Sequence, residues 1–259
     1  MSAVLGGRAP RDTELGTDDA ALIVRSIPLR PEGDHIGALV LLRDVTDLRR
    51  RDRELVTKDA TIREIHHRVK NNLQTVAALL RLQARRIESA SAKSALEEAV
   101  RRVGSIAIVH ETLSQSVEEH VNFDEIVDRL GSMVTEDSAV GDRVRVRRDG
   151  AFGVLDSGAA TALAMVLTEV LQNAVQHAYP ADAPGGTIAV SPRRLVGRLH
   201  LTVDDDGQGL PEGFDLDGTT NLGLSIVRTL VESELGGQLS LESRPGGSGT
   251  RVVVDVPLE

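Results

Sequence analysis

The chain has no cysteine and no tryptophan, and one Tyr and three Phe bring its aromatic content to only 2% of 259 residues. Without cysteine there is no disulfide, no thiolate metal site and no cysteine nucleophile, which suits a reducing compartment. With so few aromatic rings, a platform that stacks the bases of single-stranded nucleic acid is disfavoured. Aliphatic side chains must therefore fill the core.

Basic charge and long apolar runs are also lacking. The net charge is −9 at pH 7, whereas a protein that neutralises the phosphates of a duplex carries a basic surface, so direct nucleic-acid binding is disfavoured. No uninterrupted run approaches the roughly 18 apolar residues that span a bilayer, and residues 1–12 lack the apolar core of a signal peptide. We therefore expect no membrane segment in this chain and a cytoplasmic location.

The pattern of the remaining sequence predicts four segments. In residues 1–45, two strand-like runs, AALIVRSIPL and HIGALVLLRDV, flank the turn signal RPEGD and predict a β-hairpin or a fragment of a larger sheet. Residues 46–60 predict a coiled-coil helix, and residues 61–120 a helical hairpin. In residues 121–259, strands follow strands as well as helices, which predicts an α+β sandwich.

From Thr46 onward the apolar pattern becomes helical. An apolar residue recurs at every seventh position: Leu48, Leu55, Ile62, Val69 and Val76. This spacing indicates a coiled-coil seam, and a second amphipathic helix from about Ala95 to Leu113 follows the loop signal ESASAKS. Because two helices have too little core by themselves, we expect a homodimer in which two hairpins form a four-helix bundle.

A later helix, TEVLQNAVQHAY, places Glu169, Asn173 and His177 four residues apart. A carboxylate, an amide and an imidazole therefore share one helix face. This face is either the exposed polar side of an amphipathic helix or a set of ligands that includes the oxygen donors Mg²⁺ prefers.

The strand LHLTV leads into the sequence DDDGQG, in which Asp205, Gly207 and Gly209 form a D-x-G-x-G loop. A carboxylate accepts a hydrogen bond from an exocyclic amine such as that of adenine, and glycines let the backbone approach a flat ring. The alternative is a tight turn after a strand.

Two further glycine segments complete the set. Gly223 opens a helix in TTNLGLSIV, where free backbone N–H groups and the helix dipole favour a phosphate. Gly249 and Thr250 lie in PGGSGT before the last strand, where a simple hairpin turn is the alternative.

The helix TEVLQNAVQHAY, the loop DDDGQG and the two glycine segments follow one another in the order seen in the nucleotide-binding domain shared by gyrase, Hsp90, histidine kinases and MutL, and they resemble its motifs. The resemblance implies a Bergerat-type α/β sandwich that binds ATP and Mg²⁺, with Asn173 as the metal ligand, Asp205 on the adenine amine and Glu169 as a polar or base-like neighbour. It also implies roles for the four glycine-box positions beside the base and at the phosphate-covering lid: Gly207, Gly209, Gly223 and Leu224. The second box departs from the fuller G-x-G-L-G form, because Asn221 and Ser225 stand where its first and last glycines would be.

The coiled-coil helix carries two adjacent histidines in REIHHRVKNNLQ. At about 100° per residue, His66 lies on the margin of the apolar stripe and His67 nearly opposite it. A nucleophile that meets ATP bound on another domain must face outward, which favours His67 over His66, although an ordinary surface histidine is the alternative. Glu64 is placed to orient the His67 ring, and Lys70 either faces phosphate oxygens or is a solvated charge. On the second helix, His110 lies on the apolar face and is interpreted as a core histidine.

The segment EIHHRVKNNLQTVAALL resembles the dimerisation and phosphotransfer helix of the HWE-related subfamily of sensor histidine kinases. In that subfamily the acceptor is the His directly before Arg, which here is again His67. The resemblance implies autophosphorylation from ATP and transfer to an Asp of a response-regulator receiver domain. Arg68 occupies the position where commoner histidine kinases have an acidic residue, so the orienting role of Glu64 is our own inference. The front segment GALVLLRDVTDLRRRDREL resembles the end of a PAS sensor domain and its exit helix.

Other function classes use the same nucleotide-binding fold. An ATPase of the gyrase, Hsp90 or MutL kind needs transducing domains after the nucleotide site, and this sequence stops at Glu259 after the last predicted strand. A non-catalytic nucleotide-binding module or an anti-sigma serine kinase has no need of an outward histidine on a helical hairpin. We therefore expect an ATP-dependent protein histidine kinase.

Overall fold

The computed structural model describes residues 11–17, 20–29, 36–115, 120–136, 143–180, 185–211, 213–214, 216 and 221–258. Two compact units meet between Thr61 and Ile62. This division falls inside one long helix.

The first unit contains a three-stranded antiparallel sheet. Its strands β1 (Arg11–Gly16), β2 (Ala21–Leu29) and β3 (Gly37–Asp44) lie in the order β1-β2-β3. The two predicted strands and their antiparallel pairing are confirmed, whereas β1 was missed because RDTELG has few β-branched or aromatic residues. The predicted turn RPEGD lies outside the described residues.

The sheet ends in a corner that begins the long helix. Asp44 Oδ1 accepts hydrogen bonds from the backbone N–H of Thr46 at 2.9 Å and from its hydroxyl at 2.6 Å. These bonds lower the pKa of the Asp44 carboxyl, the hydroxyl bond being the larger cause. An anionic cap of this kind stabilises the first turn of a helix.

Two long helices follow, α1 (Thr46–Ala84) and α2 (Ala90–Gln115). The predicted helices and their short connection are confirmed, but the predicted start of α2 near Ala95 was wrong by five residues. Ser89 Oγ accepts a hydrogen bond from the N–H of Ala92 at 3.4 Å. Because Ser89 caps the helix, most of the ESASAKS segment lies inside α2 and not in the loop.

The apolar seam of α1 is only partly covered by its own chain. Ile62 and Val69 are half-buried, but Leu48 and Val76 are 55% and 43% exposed. The side chain of Leu55 lies outside the described part of the chain. Further apolar side chains of α1 are also exposed: Ile65, Leu79 and Leu82.

The rest of the second unit is built on a five-stranded sheet in the order β5-β7-β8-β10-β9, in which β5 and β7 are parallel and the other neighbours antiparallel. The elements in chain order are β4 (His120–Asn122), α3 (Phe123–Glu136), β5 (Val144–Arg148), β6 (Val154–Asp156), α4 (Ser157–Asn173), β7 (Gly186–Leu195), β8 (Arg198–Asp205), α5 (Leu222–Thr229), β9 (Gln238–Ser243) and β10 (Thr250–Pro257). The short strands β4 and β6 pair with each other, and they were not predicted because three residues carry no periodic pattern. Each of α4 and α5 continues into a π-helical turn, Ala174–Ala178 and Leu230–Glu234.

One face of the sheet packs against the helices, which confirms the α+β sandwich. Alternate residues of the central strands, such as Ile188, Leu201 and Val254, are almost completely buried in the core cluster. Val109 and Leu113 of α2 belong to the same cluster. The helical hairpin and the α+β module that follows it therefore share one core across the predicted boundary between residues 120 and 121.

The central helix of this core is also apolar enough to suit a membrane span. By length and composition alone, Ser157–Ala178 would cross a bilayer, but 61% of its apolar window is buried in the structure. This helix is not an uninterrupted apolar run, because polar residues such as Glu169 and Gln172 lie within it. Its burial is that of a core helix.

Candidate active site

The polar face of α4 is not a solvated surface. Glu169 is only 7% exposed, and Asn173 Nδ2 is buried without a hydrogen-bond partner among the described residues. His177 lies in the π-helical turn and is exposed. A buried carboxylate and an unpartnered buried amide indicate a site and not an ordinary amphipathic face.

Asp205 lies at the end of β8 and is 5% exposed. Its Oδ1 accepts hydrogen bonds from the backbone N–H groups of Gly207 at 3.0 Å and Thr250 at 3.2 Å. Burial is the largest cause of the shift in its pKa and raises it, although the two backbone hydrogen bonds act in the opposite direction. The D-x-G-x-G loop and the last glycine segment therefore meet at one carboxylate.

Glycines permit this close packing. A Cβ atom at Gly249 would lie 2.0 Å from the Asp205 carbonyl oxygen, and Gly249 has a φ of +119°. A Cβ atom at Gly207 would lie 2.3 Å from the carbonyl oxygen of Ala178, at the end of the α4 segment. Side chains at these positions would separate the loops from each other and from the helix.

A cavity of about 290 Å³ opens between these elements. Six of the predicted site residues line it: Asn173, His177, Asp205, Gly209, Leu224 and Thr250. Its apolar wall includes Val170, Val203 and Phe214. A flat heterocycle beside Asp205 with polar groups toward Asn173 fits this combination of an apolar wall and few polar atoms.

Phe214 was missed by sequence reasoning. Phe214 is one of only three phenylalanines in the chain. Because aromatic residues are so rare in this sequence, its position between two of the predicted glycine segments could have indicated that it belongs to the site.

The start of α5 is capped by its own chain. Asn221 Oδ1 accepts hydrogen bonds from the backbone N–H groups of Gly223 at 2.8 Å and Leu224 at 3.3 Å. A Cβ atom at Gly223 would lie 2.7 Å from Glu169 Oε2. The second glycine segment therefore packs directly against the Glu169–Asn173 face of α4.

The two adjacent histidines have different surroundings. His67 is exposed, whereas His66 is half-buried, with its Nδ1 3.0 Å from Nδ1 of His110. The predicted outward position of His67 and the packing position of His66 are confirmed, whereas His110 is half-buried and not a fully buried core residue. Burial, followed by the charge of His66, lowers the pKa of His110.

Charged neighbours of His67 are already paired. Glu64 Oε1 accepts a hydrogen bond from Arg68 Nε at 2.7 Å, which is the largest cause of the lowered pKa of Glu64. Lys70 Nζ lies 2.5 Å from Glu111 Oε1, and Arg129 binds the other oxygen of Glu111. Lys70 thus belongs to an ion-pair network between helices, and the orienting role of Glu64 stays a prediction.

His66, the neighbour of His67, and the cavity beside Asp205 lie toward opposite ends of α4. His66 lines a second cavity together with Thr161, near the N-terminal end of α4. Asn173 follows Thr161 by twelve residues, about 18 Å along a helix axis. Reacting atoms must approach to about 3–3.5 Å, so the predicted transfer to His67 would require a different arrangement of the hairpin and the site.

The donor set fits Mg²⁺ only together with a phosphate ligand. No cluster of three or more His, Cys, Asp or Glu side chains that could hold a metal occurs in the part of the chain that the structure describes. Mg²⁺ commonly uses one or two protein oxygens together with substrate phosphates and water. Asn173 lines the cavity, and its side-chain oxygen is a ligand of that kind, whereas its unpartnered Nδ2 is a hydrogen-bond donor.

Comparison with known proteins identifies both parts of the second unit. A family model described as "Histidine kinase" matches residues 64–137, and one described as "Histidine kinase-, DNA gyrase B-, and HSP90-like ATPase" matches residues 158–259.

Curated relatives extend the similarity over nearly the whole chain. The chain is 52% identical to the sensor histidine kinase PdtaS of Mycolicibacterium smegmatis over 98% of its own length and 51% of that protein. It is 51% identical to PdtaS of Mycobacterium tuberculosis over 95% of its own length and 49% of that protein. The chain thus spans about half the length of these relatives.

Among solved structures, the histidine kinase domain of a blue-light-activated histidine kinase from Erythrobacter litoralis matches with a TM-score of 0.56 and 28% identity. The match covers 79% of this chain and 94% of that one.

Proposed function

Because the chain belongs to the sensor histidine kinase family, we propose that it phosphorylates its own His67 from ATP and passes the phosphoryl group to an Asp of a response-regulator receiver domain. The observation that carries the proposal is the pairing, in one compact unit, of an exposed His67 with a cavity built around Asp205 and Asn173. Neither a nucleotide-binding module nor a serine kinase requires the exposed histidine.

Each part of the cavity has a role in holding the nucleotide. The Asp205 carboxylate accepts a hydrogen bond from the exocyclic amine of adenine, and the apolar wall around Phe214 packs against the ring. Asn173 would hold Mg²⁺ through its side-chain oxygen, and the bound ion would neutralise charge on the phosphates. The N–H groups of Gly223 and Leu224 face the phosphates once the Asn221 side chain moves away.

The chemical step requires little beyond positioning. The unprotonated ring nitrogen of His67 attacks the γ-phosphorus, an N–P bond forms, and the P–O bond to the leaving ADP breaks. In the second reaction, a carboxylate oxygen of the receiver Asp attacks the same phosphorus and the N–P bond breaks. His66, next to His67, lies near the N-terminal end of α4, whereas Asn173 lies at its C-terminal end. The hairpin must therefore move against the nucleotide-binding module, or the acceptor His67 must come from a partner subunit.

We propose that the acting species is a homodimer in the cytoplasm. The exposed apolar seam of α1, with Val76 and Leu79 among its members, supports burial against a second copy, since a four-helix bundle would cover it. A monomeric mass by light scattering at micromolar concentration would contradict this part of the proposal.

Chemical stability of the label tests the activity. We expect the full chain, incubated with γ-labelled ATP and Mg²⁺, to acquire a label that acid removes and alkali does not, as for an N–P bond. Added receiver domain should then take up the label. An acid-stable label on a separate protein, without self-labelling, would instead favour the serine kinase alternative and refute the proposal.

A further inference from the structure

Arg102 connects the phosphotransfer hairpin to the nucleotide site. It lies on α2, and its Nε and Nη2 lie 2.6 Å and 3.0 Å from the two carboxylate oxygens of Glu169 on α4. The side chains of Arg102 and Glu169 are only 16% and 9% exposed. This bidentate geometry is the strongest form of an Arg–carboxylate pair.

Glu169 lies where the phosphates of a nucleotide are expected. Its Oε2 is 2.7 Å from the position of a Cβ atom at Gly223, and Asn173 Nδ2 is 3.9 Å from the same point. That amide nitrogen is buried and has no hydrogen-bond partner in the described part of the chain. The Glu169 carboxylate thus lies beside the start of α5 and next to the amide of Asn173, which lines the cavity.

A carboxylate in this position would repel a triphosphate if nothing neutralised it, because like charges in a partly buried site interact strongly. Among the residues that the structure describes, Glu169 forms an ion pair with Arg102 alone. Arg102 also lies 3.4 Å from Glu98 on its own helix, but that contact is weaker and involves one nitrogen. The cation that balances Glu169 therefore comes from the hairpin and not from the nucleotide-binding module.

We propose that Arg102 is a nucleotide-affinity residue that the hairpin supplies: it neutralises Glu169 so that the polyphosphate of ATP can bind beside it. This inference rests on the proposed ATP site. Its consequence is that the affinity for ATP depends on the packing of α2 against α4, which couples the state of the hairpin to nucleotide binding.

The test measures nucleotide affinity in the full chain, by calorimetry with Mg²⁺, using ATP and adenosine as separate probes. Arg102→Gln should weaken ATP binding at least about tenfold, equivalent to about 1.4 kcal/mol, and should change adenosine binding much less because adenosine carries no phosphate. Arg102→Lys, which keeps the charge, should retain most of the ATP affinity. Arg101→Gln is the matched control, since it removes the same charge from the next position of the same helix.

The double variant Arg102→Gln/Glu169→Gln separates charge balance from structural damage. Once Glu169 is also neutral, we expect ATP affinity to recover to well above that of Arg102→Gln. Equal losses for ATP and adenosine, no recovery in the double variant, or unchanged ATP affinity in Arg102→Gln would each overturn the inference. If the unaltered chain bound no ATP at all, the proposed function itself would fail, which is a distinguishable result.

Discussion

Replacing Leu113 by Ala tests whether the helical hairpin and the nucleotide-binding module fold as one unit. Leu113 lies on α2, is 2% exposed, and belongs to the same buried cluster as Phe123 and Leu163 of the nucleotide-binding module. Truncation of a fully buried Leu costs about 3 kcal/mol, since it loses transfer free energy and leaves a cavity. For a unit of about 200 residues, this predicts a decrease in Tm of about 6–12 °C.

The chain offers a built-in probe for this prediction. Tyr179 is the sole tyrosine and there is no tryptophan. Because Tyr179 is 4% exposed in the nucleotide-binding module, tyrosine fluorescence reports that module alone. Circular dichroism at 222 nm reports the helices as well. The matched control is Leu195→Ala, because Leu195 is 59% exposed and its loss should change stability by less than about 0.5 kcal/mol.

In Leu113→Ala, both signals should shift together to the lower temperature. If the helical signal moved while the Tyr179 transition stayed at its original temperature, the hairpin and the module would be separate cooperative units. The shared core would then be refuted.

Further predictions concern the site and its pH dependence. Gly249→Ala should lower the free energy of unfolding by about 1–3 kcal/mol and weaken ATP binding, because a Cβ atom there would lie 2.0 Å from the Asp205 carbonyl oxygen. Gly247→Ala is the control: a Cβ atom at Gly247 would meet no atom within 4 Å, so stability and ATP binding should not change. Burial, followed by the charge of His66, lowers the pKa of His110 from 6.5 in the folded chain. His110 therefore binds a proton more readily when the chain is unfolded, and the free energy of unfolding should decrease as the pH falls below about 6.5. Thermal unfolding between pH 7.5 and 5.5 checks this, and His110→Gln should flatten the dependence; an equally steep curve in the variant would assign the effect to other groups.

Most of the fold could be predicted because most helices and strands have a recognisable pattern within their own short stretch of sequence. The heptad spacing in α1, the alternation in β7 and β10 and the glycine segments each lie within a short stretch of sequence. The same is true of Asn173 and Asp205, whose motifs are local. The start of α2 was misplaced because Ser89 acts as a helix cap, and the Ala and Ser residues after it suit a helix as well as a loop.

What the sequence could not predict depends on long-range contacts. Arg102 and Glu169 are separated by 67 residues, and nothing near either residue indicates the other. The same holds for Lys70, whose partner Glu111 lies on the other helix of the hairpin. Burial of Glu169 followed only from the packing of α2 and α5 on α4, since the residue types alone suited an exposed face equally well.

The most direct test of the central claim is to locate the phosphoryl group with a matched pair of variants, His67→Gln and His66→Gln, incubated with γ-labelled ATP and Mg²⁺. Because His67 is exposed and His66 packs against His110, we expect the label to disappear in His67→Gln and to persist in His66→Gln. An acid-labile label that survives in His67→Gln would contradict it.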